Sequence, residues 1–316
     1  MSGQAIHWYE GMFLRPQHFQ ATQRHLLEVA GRGDKWDLHY NWGLRAIELD
    51  LGQHRLAIRR LKARLPDGTL VAVPEDGCLP EVDLKAALRR QPSVTAYLAV
   101  PRLQSSRANI NPANSPNGAR YLVDTQQLED ENTGLNPATV EVRRLNLKLF
   151  LSSEEPGDLE ALPLARFMKA DRPGDGPQLD ESYIPPLLAC DAWKSLVEHR
   201  LGQPCRRLGE TLDRLASQVI TQNLTFDSQA PGARQLLELL RVLNETYAPL
   251  SVAVAAEGIH PLTVYGELCR LVGRLAIFRA QRRVPELPKY DHGNLGVCFG
   301  RIEQYINDLL DSFIGV

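Results

Sequence analysis

Residues 56–73, LAIRRLKARLPDGTLVAV, have the pattern of a β-hairpin. Two runs rich in apolar and β-branched residues flank the turn Leu65-Pro66-Asp67-Gly68, in which proline presets φ and glycine accepts a positive φ. Because such a turn joins two neighbouring antiparallel strands, this stretch predicts antiparallel β-structure in the first half of the chain.

Further short strand-like segments surround the hairpin. The predicted strands are Gly43–Leu51, Leu56–Leu65, Thr69–Val73, Val94–Pro101, Arg120–Gln126, Thr139–Ser152 and Leu164–Ala170. No helix-length periodic segment separates them, which argues against a parallel sheet and favours an antiparallel, sandwich-like domain. A helix at about Pro16–Gly31 precedes the strands, since proline suits a first helical turn.

The second half of the chain has helical periodicity. Its last helix carries apolar residues in alternating steps of four and three: Leu295, Phe299, Ile302, Ile306, Leu309 and Phe313. Three similar stripes precede it, although Pro204 and Pro249 should kink or break two of those helices. The predicted fold class is α+β, with a β-rich N-terminal domain over residues 1–188 and a four-helix bundle over residues 189–316.

Composition and charge exclude several classes of function. The 36 Lys and Arg residues are balanced by 38 Asp and Glu residues, so we expect no nucleic-acid partner. Five widely spaced cysteines fit neither a disulfide framework nor a CxxC metal pair. The first twenty residues lack an uninterrupted apolar core, and no eighteen-residue apolar run occurs, so we expect a cytoplasmic protein without membrane insertion.

Motifs for catalysis or cofactor binding are missing from the sequence. There is no Gly-x-Ser-x-Gly nucleophile motif and no phosphate-binding Gly-x-x-x-x-Gly-Lys-Ser/Thr loop. His18 and His25 are seven residues apart, but two ligands alone make a poor metal site. We therefore predict no catalytic, cofactor-binding or metal-binding residue, and no enzyme; a hydrolase with an unrecognised cysteine or histidine site stays as an alternative.

The N-terminal segment is unusually apolar for a chain terminus. Its large side chains are Trp8, Tyr9, Met12, Phe13, Leu14 and Phe19. Each gains about 1.5–3 kcal/mol when fully buried, so we expect these side chains to dock on protein. They either pack on their own domain or contact another chain, where aromatic and methionine anchors are favoured.

Several motifs, taken in order, resemble one family. They are WYEGMFLRPQHFQ at 8–20, Trp42-Gly43, Pro66-Asp67-Gly68-Thr69, Glu131-Asn132-Thr133-Gly134, Leu145-Asn146-Leu147, SYIPPLL at 182–188, His260-Pro261 and Tyr290-Asp291-His292. With these motifs along its whole length, the chain resembles the TssK family of type VI secretion baseplate proteins.

The resemblance implies a non-enzymatic adaptor that assembles as a homotrimer. It implies a shoulder domain similar to that of phage receptor-binding proteins, a helical neck and a C-terminal head. The N-terminal domain would grip the TssF/TssG wedge, and the head would hold the TssL/TssM complex at the inner membrane. Because this chain stops at Val316, where the head would begin, we expect the head to be absent from it.

The resemblance also suggests roles for two groups of residues. Trp8, Tyr9, Met12, Phe13, Leu14 and Phe19 would bind the wedge. The six apolar residues of the last helix would serve either bundle packing or threefold association, which the sequence leaves open. A phage-type receptor-binding module of the same shape is the alternative within the class of binding proteins.

Overall fold

The computed structural model describes residues 3–104, 107–112, 118–170, 172 and 176–313. The helices are α1 (Pro16–Asp37), α2 (Lys85–Arg90), α3 (Gly202–Thr221), α4 (Ala233–Ala255), α5 (Pro261–Leu275) and α6 (Leu295–Asp311). The strands are β1 (Gly43–Leu51), β2 (Arg55–Arg64), β3 (Leu70–Val73), β4 (Val82–Asp83), β5 (Ser93–Pro101), β6 (Ile110–Pro112), β7 (Tyr121–Leu128), β8 (Ala138–Leu145), β9 (Lys148–Leu151), β10 (Leu159–Met168) and β11 (Gln178–Leu179). The prediction of a mixed fold, with strands first and long helices after them, is confirmed.

The predicted hairpin is formed by strands β2 and β3 of the first sheet, in which β2 is the central strand. Strands β2 and β3 pair antiparallel, and β1 and β4 also pair with β2. In the turn, the Leu65 amide donates to the Thr69 carbonyl at 2.9 Å, and Gly68 has φ +95°. Asp67 accepts a hydrogen bond from the Thr69 amide at 2.9 Å, so the predicted turn chemistry is confirmed.

Two further sheets complete the β-rich half. One has the strand order β11-β10-β5-β9 and is antiparallel throughout; the other has the order β6-β7-β8, with β6 parallel to β7. The prediction of one strand over Thr139–Ser152 is wrong, because β8 and β9 belong to different sheets. The chain turns at the buried Asn146, whose amide and side chain donate to the carbonyls of Arg120 and Ala119.

Helices α3–α6 pack as a four-membered ring in which each helix contacts the next and α6 contacts α3. The apolar seam of α6 is buried inside this ring, as its periodicity predicts. A π-helical stretch at Leu196–Leu201 runs without interruption into α3, and Pro204 lies three residues after it, inside the continuous helical backbone. The irregularity predicted at this proline is therefore a local π-helical distortion and not a break. At Pro249, where a kink or a break was predicted, the helix does not break, since α4 runs through this residue and buries Leu250 directly beyond.

A short extended segment connects the two halves of the molecule. The Leu44 amide donates to the Pro186 carbonyl, and the Leu188 amide donates back to the Leu44 carbonyl. Gly43 adopts φ +125°, and a Cβ there would lie 2.6 Å from the Pro186 backbone. Only glycine therefore allows β1 to approach this segment so closely. The buried apolar residues of both halves form one continuous core.

Helix α1 is longer than its sequence pattern predicts. It starts at Pro16 as expected but continues six residues past Gly31, to Asp37. The extra turns are held by an ion pair between Asp34 and Arg64 of β2, with a nitrogen-to-oxygen distance of 3.0 Å. No helix pattern in the sequence predicts this tertiary contact, which lies beyond the low-propensity glycines Gly31 and Gly33.

Candidate partner-binding surface

The N-terminal arm, residues 3–15, folds back along one side of α1. The His25 ring donates from Nδ1 to the Gly3 carbonyl at 2.7 Å, and the Gly3 amide donates to the Glu28 carboxylate. Farther along, the Trp8 ring lies 6.1 Å from the His18 ring between centroids. The two histidines that sequence spacing suggested as a weak metal pair therefore both contact this arm.

A second side of α1 rests on its own β-sheets through mainly polar contacts. Arg143 of β8 donates to the Gln23 side chain at 2.9 Å, and its guanidinium lies 4.6 Å from the centre of the Tyr121 ring. Leu27 lines a cleft between α1 and β7. Within the described chain, no residue of α1 is buried.

The six N-terminal residues predicted to dock on protein lie largely in solvent. Met12 is half-buried, whereas Trp8, Tyr9, Phe13, Leu14 and Phe19 are exposed. The Phe13 side chain is 79% exposed, beside the guanidinium of Arg15. Apart from the half-buried Met12, these side chains are therefore not buried in the described chain, and their contact with another chain stays a prediction. These side chains form the candidate partner-binding surface.

The six apolar residues of α6 have the opposite environment. Leu295, Phe299, Ile302 and Ile306 are fully buried, and Leu309 and Phe313 are nearly so. Their contacts lie within their own helical ring, so these side chains have no surface left for a second chain. In the described chain these six side chains take part in bundle packing, and a role in threefold association stays untested.

Sequence reasoning overlooked the rest of the exposed apolar surface on α1. Val29, Trp36 and Leu38 are exposed large side chains, like Leu26 and Leu27, which helped to predict the helix. The signal was available, because Trp36 lies seven residues after Val29 and Leu26 lies seven after Phe19. The prediction of a helix ending at Gly31 hid the continuation of that spacing.

The described residues supply little chemistry for a hydrolase. Burial raises the pKa of the Cys190 thiol to about 12 and also raises the pKa of the thiols of Cys205, Cys269 and Cys298. These thiols stay protonated at neutral pH and are poor nucleophiles. No cluster of three metal-ligating side chains is found among the residues that the structure places.

The exposed apolar side chains of the arm and of α1 are typical of a protein that binds other proteins. Among the helices of the described ranges, none has the length and apolar character to cross a bilayer. A model for the family described as Bacterial Type VI secretion, EvfL, ImpJ, VasE matches residues 18–315. The chain therefore belongs to the TssK family, whose members are structural components of the type VI secretion baseplate and not enzymes.

Known relatives agree with this assignment over nearly the whole chain. The type VI secretion system baseplate component TssK1 of Pseudomonas aeruginosa is 31% identical over 97% of this chain and 69% of its own length. A crystal structure of TssK matches with a TM-score of 0.87 and 25% identity, over 98% of this chain and 69% of the other. A chain from a TssK-TssF-TssG baseplate subcomplex matches with a TM-score of 0.83 and 27% identity, over 98% and 99% of the two chains.

Proposed function

We propose that this protein is a homotrimeric baseplate adaptor that grips the TssF/TssG wedge through its N-terminal arm. In this proposal, residues 1–188 are the shoulder and residues 189–316 are the neck. The baseplate so assembled docks at the inner membrane through the TssL/TssM complex. The TssK-TssF-TssG subcomplex that contains a structural relative of this chain supports the wedge partner.

The exposed arm is the observation that carries the proposal. Trp8, Phe13 and Leu14 present aromatic and aliphatic side chains to solvent on a segment that the described chain leaves uncovered. Side chains of this type, clustered on a surface, are those that contribute most to protein–protein binding when a partner desolvates them. Burial of each would stabilise the complex by up to about 1.5–3 kcal/mol, before the entropy cost of ordering the arm.

Replacement of Phe13 tests the arm directly. Phe13→Asp places a charge where an apolar anchor is proposed, so capture of separately expressed TssF/TssG should fall by at least about tenfold. The matched control is Ile220→Asp, because Ile220 is 77% exposed at the end of α3 in the helical half. The control should bind the wedge as the unmodified chain does.

The outcome that contradicts this proposal is equally simple. If Phe13→Asp captures TssF/TssG as well as the control does, the arm is not the wedge interface. Mass measurement of both variants completes the test, because the proposed trimer should persist when only a wedge contact is removed.

The resemblance assigns the membrane link to a C-terminal head, and not to the shoulder or the neck. We therefore expect the chain to capture TssF/TssG but not TssL/TssM when each pair is offered separately in a pull-down. Capture of TssL/TssM by this chain alone would mean that the neck or the shoulder makes that contact.

A further inference from the structure

A cleft at one end of the helical ring lies between the start of α4 and the turn that follows α5. Gly232 and Gln235 line it on the α4 side, and Ile277 and Phe278 line it on the α5 side. Its volume is about 730 Å³, within the range of pockets that hold a ligand or several side chains. Phe278 packs edge-on against Phe313, with 6.0 Å between ring centroids, so the end of α6 supports this side. We call this site the α4–α5 cleft.

Three arginines without a charged partner line the α4–α5 cleft: Arg234, Arg279 and Arg282. Within the described residues, none of their guanidinium groups makes an ion pair or a hydrogen bond. Glu238 also lines the cleft, but its carboxylate accepts a hydrogen bond at 3.1 Å from Arg241, which does not line it. The cleft therefore carries positive charge that the described chain does not neutralise.

The stability of the chain itself does not explain two of these arginines. Arg234 lies in the first turn of α4, where the helix dipole disfavours a positive charge. Arg282 has φ +48°, a left-handed conformation that favours glycine over residues with a side chain. Only Arg279, directly after the 3-10 turn Ala276–Phe278, has the position in which a helix end favours a cation. Arg234 and Arg282 thus point to a role outside the fold of one chain.

The chemistry of the α4–α5 cleft fits an acidic peptide segment. Guanidinium groups bind carboxylates through paired, charge-assisted hydrogen bonds. Beside them, Ile277 is 61% exposed and Phe278 is half-buried, so the same cleft offers an apolar wall. A segment with carboxylates and one apolar anchor is complementary to both features. A bilayer fits less well, because a flat surface reaches only the rim of a concave site.

We propose that the α4–α5 cleft binds an acidic segment of a partner protein. The carboxylates of this segment pair with Arg234, Arg279 and Arg282, and an apolar side chain packs against Ile277. This inference does not rest on the proposed wedge interface, which lies on the N-terminal arm. It assigns a second, separate binding surface to the helical half of the molecule.

Charge reversal in the cleft tests the proposal. The probe is a short fluorescent peptide in which Asp and Glu alternate with Leu, and its matched peptide carries Asn and Gln in place of the acids. The chain should bind the acidic peptide about tenfold or more tightly than the amide peptide. The double variant Arg279→Glu/Arg282→Glu should lose this preference. The matched control is Arg206→Glu, an exposed arginine near the start of α3, which should bind as the unmodified chain does.

A second pair of variants tests the apolar wall of the cleft. Ile277→Asp should weaken binding of the acidic peptide by about tenfold or more, because it removes the anchor contact and adds a repelling charge. Val252→Asp, at a residue 68% exposed near the other end of α4, should leave binding unchanged. Added salt should weaken binding to the unmodified chain, since exposed charges are screened.

Each remaining outcome decides against the proposal. If the acidic peptide does not bind, or binds no better than the amide peptide, the cleft is not an acidic-peptide site. Equal binding by Arg279→Glu/Arg282→Glu and Arg206→Glu would place the peptide elsewhere. Sedimentation with phosphatidylglycerol vesicles, lost in the double variant and without peptide binding, would identify a lipid surface.

Capture of TssF/TssG separates this inference from the proposed function. The double variant Arg279→Glu/Arg282→Glu should capture the wedge as the unmodified chain does. Loss of capture would mean that the cleft belongs to the wedge interface, and the inference of a separate surface would be wrong. Conversely, Phe13→Asp should bind the acidic peptide normally, so a failure of the arm proposal would leave the cleft proposal in place.

Discussion

The imidazole rings of His260 and His292 stack with their centroids 5.4 Å apart and their planes within 10° of parallel. Each ring donates from Nε2 to a carbonyl of the segment that follows α1: His260 to Tyr40 at 3.3 Å and His292 to Trp42 at 2.8 Å. Their Nδ1 atoms accept hydrogen bonds, from the Leu262 amide and from the Tyr290 hydroxyl. Both rings are therefore neutral, and together they connect the segment that follows α1 to the helical bundle.

A lower pH should weaken this contact between the segment after α1 and the helical bundle. Burial lowers the pKa of His292 from 6.5 to about 4, and the hydrogen bond to the Trp42 carbonyl and the charge of Asp291 offset this only in part. Burial also lowers the pKa of His260. A histidine with a lowered pKa stabilises the fold above its unfolded-state pKa, and that stability is lost as the pH falls from 6.5 towards 4. We expect His292 to account for roughly 3 kcal/mol of the unfolding free energy over this window.

Urea unfolding at a series of pH values measures this effect. The variant His292→Gln keeps a hydrogen-bond donor but does not titrate. Its unfolding free energy should be lower than that of the unmodified chain at pH 7 and should depend less on pH between 6.5 and 4. An unchanged slope would show that this ring does not govern acid sensitivity.

Substitution of Gly296 should be severe. A Cβ at this position in the first turn of α6 would lie 2.2 Å from the Ser182 carbonyl oxygen, a backbone atom that cannot move aside. We expect Gly296→Ala to destabilise the protein by about 1–3 kcal/mol or more. Gly300→Ala, one turn later, meets only the Arg200 side chain at 4.0 Å and should be neutral or stabilising by up to about 1 kcal/mol. Thermal unfolding of the two variants provides the comparison, and equal midpoints would contradict it.

Removal of an α6 anchor should lower stability. Phe299 is fully buried and packs edge-on against Tyr265. Phe299→Ala should cost about 3–5 kcal/mol, the usual range for a large-to-small change in a core. Val297 of the same helix is 47% exposed, and Val297→Ala should change the unfolding free energy by less than about 0.5 kcal/mol. A mild effect at Phe299 would place α6 outside the core of its own chain.

Arg120 should be essential for the hairpin turn. Its guanidinium is buried and donates to Asp67 at 2.8 Å and to Thr69. Burial alone would raise the pKa of Asp67, but the hydrogen bonds from Thr69 and Arg120 outweigh it and lower that pKa. Arg120→Met leaves this partly exposed carboxylate with only its Thr69 hydrogen bonds and should cost about 1–3 kcal/mol. Arg59→Met, which removes an exposed pair with Asp50, should leave the urea midpoint unchanged.

Sequence patterns predicted those parts of the fold that depend on interactions between residues close together in the chain. The β2–β3 turn followed from proline and glycine at fixed positions, and the buried face of α6 followed from steps of four and three. The break at Asn146 was also encoded, because the apolar positions change from Val140 and Val142 to Leu145 and Leu147, which reverses the side-chain parity. The hydrogen bonds that stabilise that break come from residues 119 and 120, which no local pattern identifies.

The candidate surface was less predictable, because exposure depends on what else covers a helix. Phe19 and Leu26 indicate an amphipathic helix whether a sheet, an arm or another chain lies against them. Only the structure shows that polar contacts such as Arg143 to Gln23 occupy the sheet side and that Phe19 and Leu26 are exposed. The histidine stack was equally hidden, since His292 and Trp42 are separated by 250 residues.

That separation bears on how the molecule is completed during synthesis. A ribosome adds about 5–20 residues per second, so roughly 10–50 s pass between the emergence of Trp42 and that of His292. Until then the carbonyl of Trp42 lacks its ring partner, and Gly296 is not yet present to close against Ser182. During this interval the apolar arm and α1 of a nascent chain are already synthesised, whereas their contact with the helical bundle has not formed. Neighbouring nascent chains on one messenger RNA can therefore meet through these segments before either chain is released.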